Sequence, residues 1–591
     1  MQDFIQESFF KGTNDRSHTP NLGRSRTFRS GCRVLLLLVL SFCVATGVRS
    51  ARAEGADAKE EAQFRRLSVE DYRDKTMAGW IGQIAGVCWG APTEFKFVDR
   101  IIPEENVPVW SPELMNNAFG QDDLYVEMTF LRTMELYGLD CSIRQAGIDF
   151  ANSQYPLWCA NREGRKNLRS GIAPPDSGHP RFNRCPNDID YQIEADFSGL
   201  ISPGLPNQVI ALGEKFGRLM NYGDGIYGGV FMGALYAEAF FSDDLNAILD
   251  AGLAAIPPES QYAEMVRDVR AWHAENPDDW TFAWNRCLEK YRKNPEYQKA
   301  SNGAIDVKIN GACILLGLLY GNGDLDQTIL ISMRAGYDSD CNPSSAAGAL
   351  FTTLGAKKLP SRFVDKLRRD VKFSHTEYDF DTLVDVCEKL ARQTVAAAGG
   401  RMETIDGVEY FLIPIQQATP KSVELSWDPK PAQNALFTPD EMAQIRFDPL
   451  GTKKMQDVLD KFSPGWKISQ CGSDMNPGLE PEYAGKKDVL KTHPLSRSVP
   501  CLLTRNYAVE PGKKTTLAVC VTNHAGFDWV LRIRINGSVQ VEQTIAGDTW
   551  QNVTFDLTPF AGSTTLIELE NLPNGWQYEA GYWSQIEIIE E

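Results

Sequence analysis

Histidine is scarce in this chain, six in 591 residues. That shortage leaves little material for a His-rich zinc site or for a Cys-His or Ser-His nucleophile. No two cysteines stand in C-x-x-C spacing, so no zinc ribbon is spelled out, nor a dense disulfide framework. Basic charge is in the minority: 60 Lys+Arg against 78 Asp+Glu give a net charge of −18. A phosphate-reading surface needs a basic stripe that releases counterions, so nucleic acid is not an expected partner. No internal repeat or low-complexity tract is found. The apolar run at 34–48 (VLLLLVLSFCVATGV) falls short of the roughly 20 residues of a membrane-spanning helix, and no stable span is expected. With histidine short, Asp and Glu become the expected agents of any chemistry.

What is present begins with that run. Arg24, Arg26, Arg29 and Arg33 precede it and Ala51-Arg52-Ala53 follows it, the layout of a secretory signal peptide cleaved after Ala53. An exported protein, periplasmic or extracellular, is expected. Residues 1–53 carry eight basic and three acidic side chains, so the remainder is more acidic than the whole. Eleven cysteines lie beyond the leader. One or two bridges are expected, for example in the C-terminal part, with the other thiols acting as small buried hydrophobes.

From about 65 to 395 apolar residues recur at three and four with short Gly, Pro and Asn punctuation, which predicts an all-α domain. Residues 74–90 (DKTMAGWIGQIAGVCWG) place Gly79, Gly82, Gly86 and Gly90 on one helical stripe, open to a second helix or a ligand. Each interior glycine costs about 1 kcal/mol relative to alanine, so four on one face need a reason. Residues 396–465 read as linker plus a small mixed region with a helical piece near Pro439. From 466 to 591 short alternating strands, with a hairpin signal at Asn536-Gly537, predict an all-β sandwich.

Two acidic clusters stand out in the helical part. Gln121-Asp122-Asp123 opens a helix whose Leu124, Met128 and Leu131 face inward. The helix dipole favours one carboxylate there by about 0.3–1 kcal/mol and explains a second less well. In Tyr337-Asp338-Ser339-Asp340-Cys341-Asn342-Pro343, Asn342 reads as the cap and Pro343 as the first position of a small-residue helix, leaving Asp338 and Asp340 without a capping role. Carboxylates at i, i+2 can converge on a hard cation. On composition alone, caps and a solvated turn remain the simpler reading of both pairs.

Three motifs in order change that. AGWIGQIAGVCWGAPTEF (78–95), GQDDL (120–124) and AGYDSDCN (335–342) resemble the glycine-rich helix with its following glutamate, the Thr-Asp-Asp-Thr element and the terminal Gly-Gly-Asp-Thr-Asp-Thr segment of the ADP-ribosylglycohydrolases. That group includes the dinitrogenase-reductase-activating enzymes, and the resemblance spans about 70–395. It implies an all-α catalytic domain holding two Mg²⁺ or Mn²⁺ ions on Asp122, Asp123, Asp338 and Asp340, with Gln121 as a further oxygen ligand. Asp123 and Glu94 become the catalytic candidates, and the reaction is hydrolysis of a glycosidic bond to ribose by a metal-activated water. Asp190 and Glu194 share a face if residues 188–196 are helical, as a solvated acidic face or as a cleft wall. Gly225, Tyr227 and Gly228, in a glycine-bearing loop entering a helix, are further substrate-binding candidates.

The departures from the family pattern are Gln121, Leu124 and Cys341 in place of hydroxyl residues, and Val87 in place of an aspartate. They leave open one metal instead of two, or a substrate other than ADP-ribosylated protein. The C-terminal module resembles galactose-binding-like jelly rolls attached to exported carbohydrate enzymes. Its Trp550, Trp576, Tyr578, Tyr582 and Trp583 could stack on sugar rings, although core packing accounts for most sandwich aromatics. The expected substrate is therefore ADP-ribosylated or otherwise glycosidic. The alternatives are a glycoside hydrolase acting on an extracellular glycan, and an inactive glycan-binding protein.

Overall fold

The computed structural model describes residues 63–445, 452–472, 474–495, 499–575 and 577–591. The expected leader and Trp576 lie outside them.

The described chain enters through a short strand, β1 (Phe64–Ser68), whose last residue caps the first helix: the Asp71 amide donates to Ser68 Oγ at 3.0 Å. Around one large apolar core stand α1 (Val69–Gly90), α2 (Asp122–Tyr137), α3 (Cys159–Arg169), α4 (Asp224–Ala239), α5 (Val307–Gly321), α6 (Leu325–Arg334), α7 (Cys341–Leu354) and α8 (Phe380–Ala397), with further helices between them. The all-α expectation holds for this part of the chain.

The glycine stripe of α1 is occupied by α7. A Cβ added at Gly82 would lie 2.5 Å from the Ala347 carbonyl oxygen, and Cβ atoms at Gly86 and Gly90 would come closer still to the carbonyls of Pro343 and Ser339. Bare backbone on α1 is what lets α7 and the loop before it approach main chain to main chain, which offsets the poor helix propensity of glycine. That loop carries Asp338 and Asp340, so the stripe positions them.

The start of α7 differs from the expected one. It begins at Cys341, with Asp340 at the cap position and no side chain capping it. Asn342 is occupied elsewhere: its Nδ2 donates to Asn310 Oδ1 of α5 at 2.9 Å. Pro343 falls in the first turn, where a missing N–H leaves no helical bond unmade.

Beyond α8 the stretch expected to be mostly linker folds back onto the helical part. Strands β2 (Arg401–Ile405) and β3 (Val408–Pro414) form a hairpin, and β3 pairs antiparallel with β1, giving the order β1-β3-β2. Downstream, Asp176 accepts the amides of Gln433 and Ala435 at 3.0 and 2.9 Å, and Phe437 and Ile445 join the helical core. The helical piece near Pro439 is a single turn, Pro439–Met442, closed by a capping box between Thr438 and Glu441.

A second core begins at α9 (Thr452–Phe462), which buries Met455 and Leu459 against strands. These are β4 (Lys467–Ser469), β5 (Gly478–Tyr483), β6 (Lys486–Thr492), β7 (Cys501–Ala508), β8 (Thr515–Asn523), β9 (Trp529–Ile535), β10 (Ser538–Ile545), β11 (Gln551–Asp556), β12 (Thr564–Leu572) and β13 (Gly581–Glu590). They form two antiparallel sheets, β10-β9-β12-β7-β4 and β11-β8-β13-β6-β5, the expected β-sandwich. Asn536 and Gly537 turn the β9–β10 hairpin with φ of 51° and 79°, the pair of left-handed residues that a type I′ turn requires. The expected bridges are not formed, and the eleven cysteines from Cys88 to Cys520 are free thiols.

The packing of α1 on α7 gives a direct test. Gly86→Ala is expected to cost about 1–3 kcal/mol in denaturant unfolding, because the new methyl meets backbone that cannot move aside. Gly478→Ala, with open space around its Cβ position, should cost far less. Equal losses would contradict the assigned contact.

Candidate functional site

The site is assembled from three places in the chain. The first turn of α2 supplies Asp122, half-buried, and Asp123, buried. The loop before α7 supplies Asp338 and Asp340, both buried. Gly336 and Tyr337 precede them with φ of 82° and 61°, and Tyr337 exchanges backbone hydrogen bonds with the segment after α1: Phe95 N donates to Tyr337 O at 2.9 Å, and Tyr337 N to Phe97 O at 3.0 Å. A tyrosine in the left-handed region is strained and is held there by these bonds. The same pairing brings Glu94 beside Asp340. Ser339 is fixed from below by Thr93, hydroxyl to hydroxyl at 2.8 Å.

The two aspartate pairs, more than 200 positions apart in sequence, lie close enough to act on one another's charge. Burial, then the charges of Asp122 and Asp340, push the Asp123 carboxyl well above the ordinary carboxylate range. Burial, then Asp340 and Asp123, do the same to Asp338. Asp340 is raised to about 6, chiefly by burial, with Asp122 adding to it. Cys341 lies within the cluster, its ligand atom and those of Asp338 and Asp340 all within 4.8 Å of one another. Glu94, exposed over part of its length at the rim, is raised to about 7 by partial burial and then by Asp340 and Asp122.

A further ring of acids stands behind. Glu194 is buried and raised by burial, with Asp122 and Asp123 among the contributing charges, so it extends the wall of the site. Asp190 lies beside Glu194 and accepts the Asn161 amide at 2.5 Å, while Asn161 Nδ2 donates to Glu194. The solvated-face reading of Asp190 and Glu194 is therefore corrected, since both are buried. Glu127 and Asp196 were not foreseen. Glu127 Oε2 accepts the Phe197 amide and Asp196 Oδ2 the Tyr236 hydroxyl, both at 2.8 Å. The available signal was Glu127 four residues after Asp123 on an otherwise apolar helix face. Trp158 was also missed; 61% exposed, its indole stands beside Asp122 at the mouth.

The three glycine-loop candidates have other occupations. Cβ atoms at Gly225 and Gly228 would collide with the Pro186 carbonyl and with Val307, so both are close-packing positions. Tyr227 accepts the Glu424 amide on its hydroxyl at 2.7 Å, anchoring the returning segment. All three are spent on packing and do not present a surface to a substrate. Gln121 sits at the cap position of α2, half-buried, with no side-chain capping bond.

The electrostatics differ from those of a buried ion pair. Elsewhere in the same core Asp306 and Asp224 are buried beside Lys308, whose ammonium stands 3.1 Å from Asp306. Among the described residues, no lysine or arginine nitrogen lies within 4 Å of the carboxylates of Asp122, Asp123, Asp190, Glu194, Asp196, Asp338 or Asp340. Both oxygens of Asp123, one of Asp338, one of Glu194 and one of Asp196 are buried without a hydrogen-bond partner in the protein. Desolvated carboxylate oxygens that act on one another's charge and lack donors suit a hard divalent cation, which prefers oxygen ligands.

In the sandwich, Trp583 and Tyr582 are buried, Trp583 donating to Thr492 Oγ1 at 2.9 Å. Trp550 is half-buried and donates to the Ala484 carbonyl at 2.9 Å. Tyr578 is 51% exposed and stacks on His524, with ring centroids 5.1 Å apart. Core packing and hydrogen bonding thus account for most of these aromatics.

The helical body that gathers these buried acids is that of a hydrolase-type family. The chain belongs to the ADP-ribosylglycohydrolase family, whose pattern matches residues 68–400. A solved structure described as an ADP-ribosylglycohydrolase-related protein complex is similar at 13% identity with a TM-score of 0.36, covering 55% of this chain and all of the other. A second, the xylan-binding CBM22-1 domain of Paenibacillus barcinonensis Xyn10C, is similar at 15% identity with a TM-score of 0.17, covering 22% of this chain and 86% of that domain. No curated protein sequence matches. Among the described residues no helix is long and apolar enough to cross a membrane.

The raised carboxyls give a signed pH dependence. Asp340 near 6 and Glu94 and Asp196 near 7 keep protons in the folded state that the unfolded chain releases near pH 4. The folded form binds more protons in that window, so the stability of cation-free protein rises as pH falls from 8 to 5. Thermal melts after EDTA treatment should show a higher Tm at pH 5 than at pH 8, with saturating Mg²⁺ or Mn²⁺ removing the difference. A Tm that falls steadily from pH 8 to 5 in EDTA would contradict it.

Proposed function

We propose that the chain is an exported, metal-dependent hydrolase that cleaves a glycosidic bond to ribose. The observation that carries this reading is the convergence of Asp122 and Asp123 with Asp338 and Asp340 as buried carboxylates without counter-charge. These four, with Gln121 nearby, are the residues that would hold Mg²⁺ or Mn²⁺, as two ions or one. Bound there, the cation supplies positive charge that orients ribose hydroxyls and makes a coordinated water more acidic.

The chain's own groups divide the remaining work. Glu94, exposed beside Asp340, is placed to take the proton of the attacking water on its carboxylate. Asp123, buried behind it, is the other candidate for that proton. Water adds to the anomeric carbon as the bond to the leaving group breaks; the leaving group takes its proton from solvent, and the proton gained by the carboxylate returns to solvent. Surrounding carboxylates stabilise the oxocarbenium-like charge that develops. Glu194 and Asp190, held by Asn161, line the wall toward the sugar. Trp158, exposed beside Asp122, is within reach of a substrate bound there.

A second reading keeps the centre and makes the substrate an extracellular glycan or glycoside, with the sandwich as a glycan-binding module. The exposed Tyr578 beside His524 and the apolar, Arg-preceded run at 34–48 favour it.

ADP-ribose release from ADP-ribosylated protein, assayed beside a panel of arylglycosides at defined Mg²⁺ and Mn²⁺, separates the readings. ADP-ribose release abolished by EDTA is expected. Asp122→Asn and Asp338→Asn should lower kcat/KM by about 10²–10³, the worth of several kcal/mol of charge stabilisation, while circular dichroism stays unchanged. Turnover of arylglycosides alone would transfer the assignment to the second reading. A protein that binds neither ion and acts on neither substrate would leave only a glycan-binding role.

A further inference from the structure

Away from the four aspartates, a different set of donors converges. The thiols of Cys159 and Cys185 and the carboxylate of Asp188 have ligand atoms all within 4.8 Å of one another. Cys159 opens α3, while Cys185 and Asp188 belong to a tight turn in which the Asp188 amide donates to the Cys185 carbonyl at 3.2 Å. Buried Asn183 fixes that turn to α3. Its Oδ1 accepts the Cys185 amide at 2.9 Å, and its Nδ2 donates to the Ala160 carbonyl at 3.0 Å and to the Met220 carbonyl at 2.8 Å.

Asp188 is buried, and each of its oxygens accepts one backbone N–H: Oδ1 from Asp190 at 3.0 Å and Oδ2 from Ala160 at 3.2 Å. A carboxylate has about four lone-pair sites, so each oxygen keeps acceptor capacity. The nearest arginine in sequence, Arg184, directs its guanidinium to Glu163 at 3.4 Å. Among the described residues, no lysine or arginine nitrogen is within 4 Å of Asp188. Two thiols and an oriented carboxylate without counter-charge make a soft donor set, and Cys159, only partly buried, leaves a way in from solvent.

We propose that Cys159, Cys185 and Asp188 form a Zn²⁺ site, its fourth position filled by water. Two thiolates with one carboxylate match zinc and poorly suit Mg²⁺, so this site and the oxygen-lined pocket select different ions. On binding, the two thiol protons leave to solvent and two sulfur–zinc bonds form. The backbone N–H groups on Asp188 orient it as outer contacts of a metal ligand do. The ion clamps the first turn of α3 to the 185–188 turn. That same turn of α3 carries Asn161, which holds Asp190 and Glu194, and follows Trp158 beside Asp122. Zinc here would brace one wall of the pocket without taking part in it, and the proposal stands whichever substrate the pocket takes.

The test uses the whole chain purified with reductant, loaded with Zn²⁺ or Co²⁺, and dialysed against buffer containing excess Mg²⁺. One equivalent of Zn²⁺ per chain should remain by elemental analysis, and the Co²⁺ form should show a thiolate-to-cobalt charge-transfer band. Cys185→Ser should lose both the equivalent and the band. Cys159→Ala, at a partly exposed position where folding is easily preserved, should do the same, whereas Cys341→Ser and Asp338→Asn should keep both. Loss of the band in Cys341→Ser but not in Cys159→Ala would overturn the assignment. So would free alkylation of Cys159 and Cys185 in the zinc-treated native protein. Isolation of a Cys159–Cys185 disulfide from protein prepared without reductant would overturn it as well, making the pair an oxidised cross-link.

Discussion

Everything in the helical part is arranged around carboxylates that repel one another and have nowhere to discharge. Burying a charged carboxylate is costly unless it is paired, and this protein shows that it can pair one: Lys308 stands 3.1 Å from Asp306 deep in the same core and partly offsets the burial of Asp224. In the pocket no such lysine is supplied. The cluster is therefore either protonated in part, as the raised carboxyls describe for the protein alone, or compensated by a cation from solution. The two states are linked, because a cation competes with those protons.

The architecture that gathers the cluster is mostly backbone. Gly82 and Gly86 on α1 admit α7 at main-chain contact and Gly90 admits the loop before it, Gly336 and Tyr337 turn the chain in the left-handed region, and residues 95–97 pair with Tyr337 so that Glu94 reaches the same rim. The departures from the family pattern fall in two groups. Val87 and Leu124 are buried apolar side chains and belong to the core. Gln121 and Cys341 stand at the cluster itself, and a thiol is a weak ligand for a hard ion. They are the positions at which this chain's cation count and substrate would diverge from the family's.

Much of this was legible in the sequence because the signals are local. Period-3.6 patterning gave the helices, alternation and Asn536-Gly537 gave the C-terminal strands, and the resemblance of three ordered motifs to a family, more than the two Asp pairs by themselves, pointed to the site. What escaped was set by distant partners. β1 is five residues long and makes sense only against β3, some 340 positions later. The 415–445 segment has little periodicity because it is held by side chains such as Asp176 and Tyr227. Asn342 has the residue type of a cap yet is drawn to Asn310. Asp190 and Glu194 look like a solvated face until Asn161, from α3, closes over them. Gly225 and Gly228 look like a ligand loop until Pro186 and Val307 fill the space.

The sandwich is a separate core, built on the buried Trp466, Trp529 and Trp583. The central claim concerns the pocket. Its most direct measurement is anomalous diffraction from crystals grown with Mn²⁺. The account predicts anomalous density at coordination distance, about 2 Å, from carboxylate oxygens of both the 122–123 and the 338–340 segments. Saturating Mn²⁺ with no density there, or density bound by only one of the two segments, would contradict it.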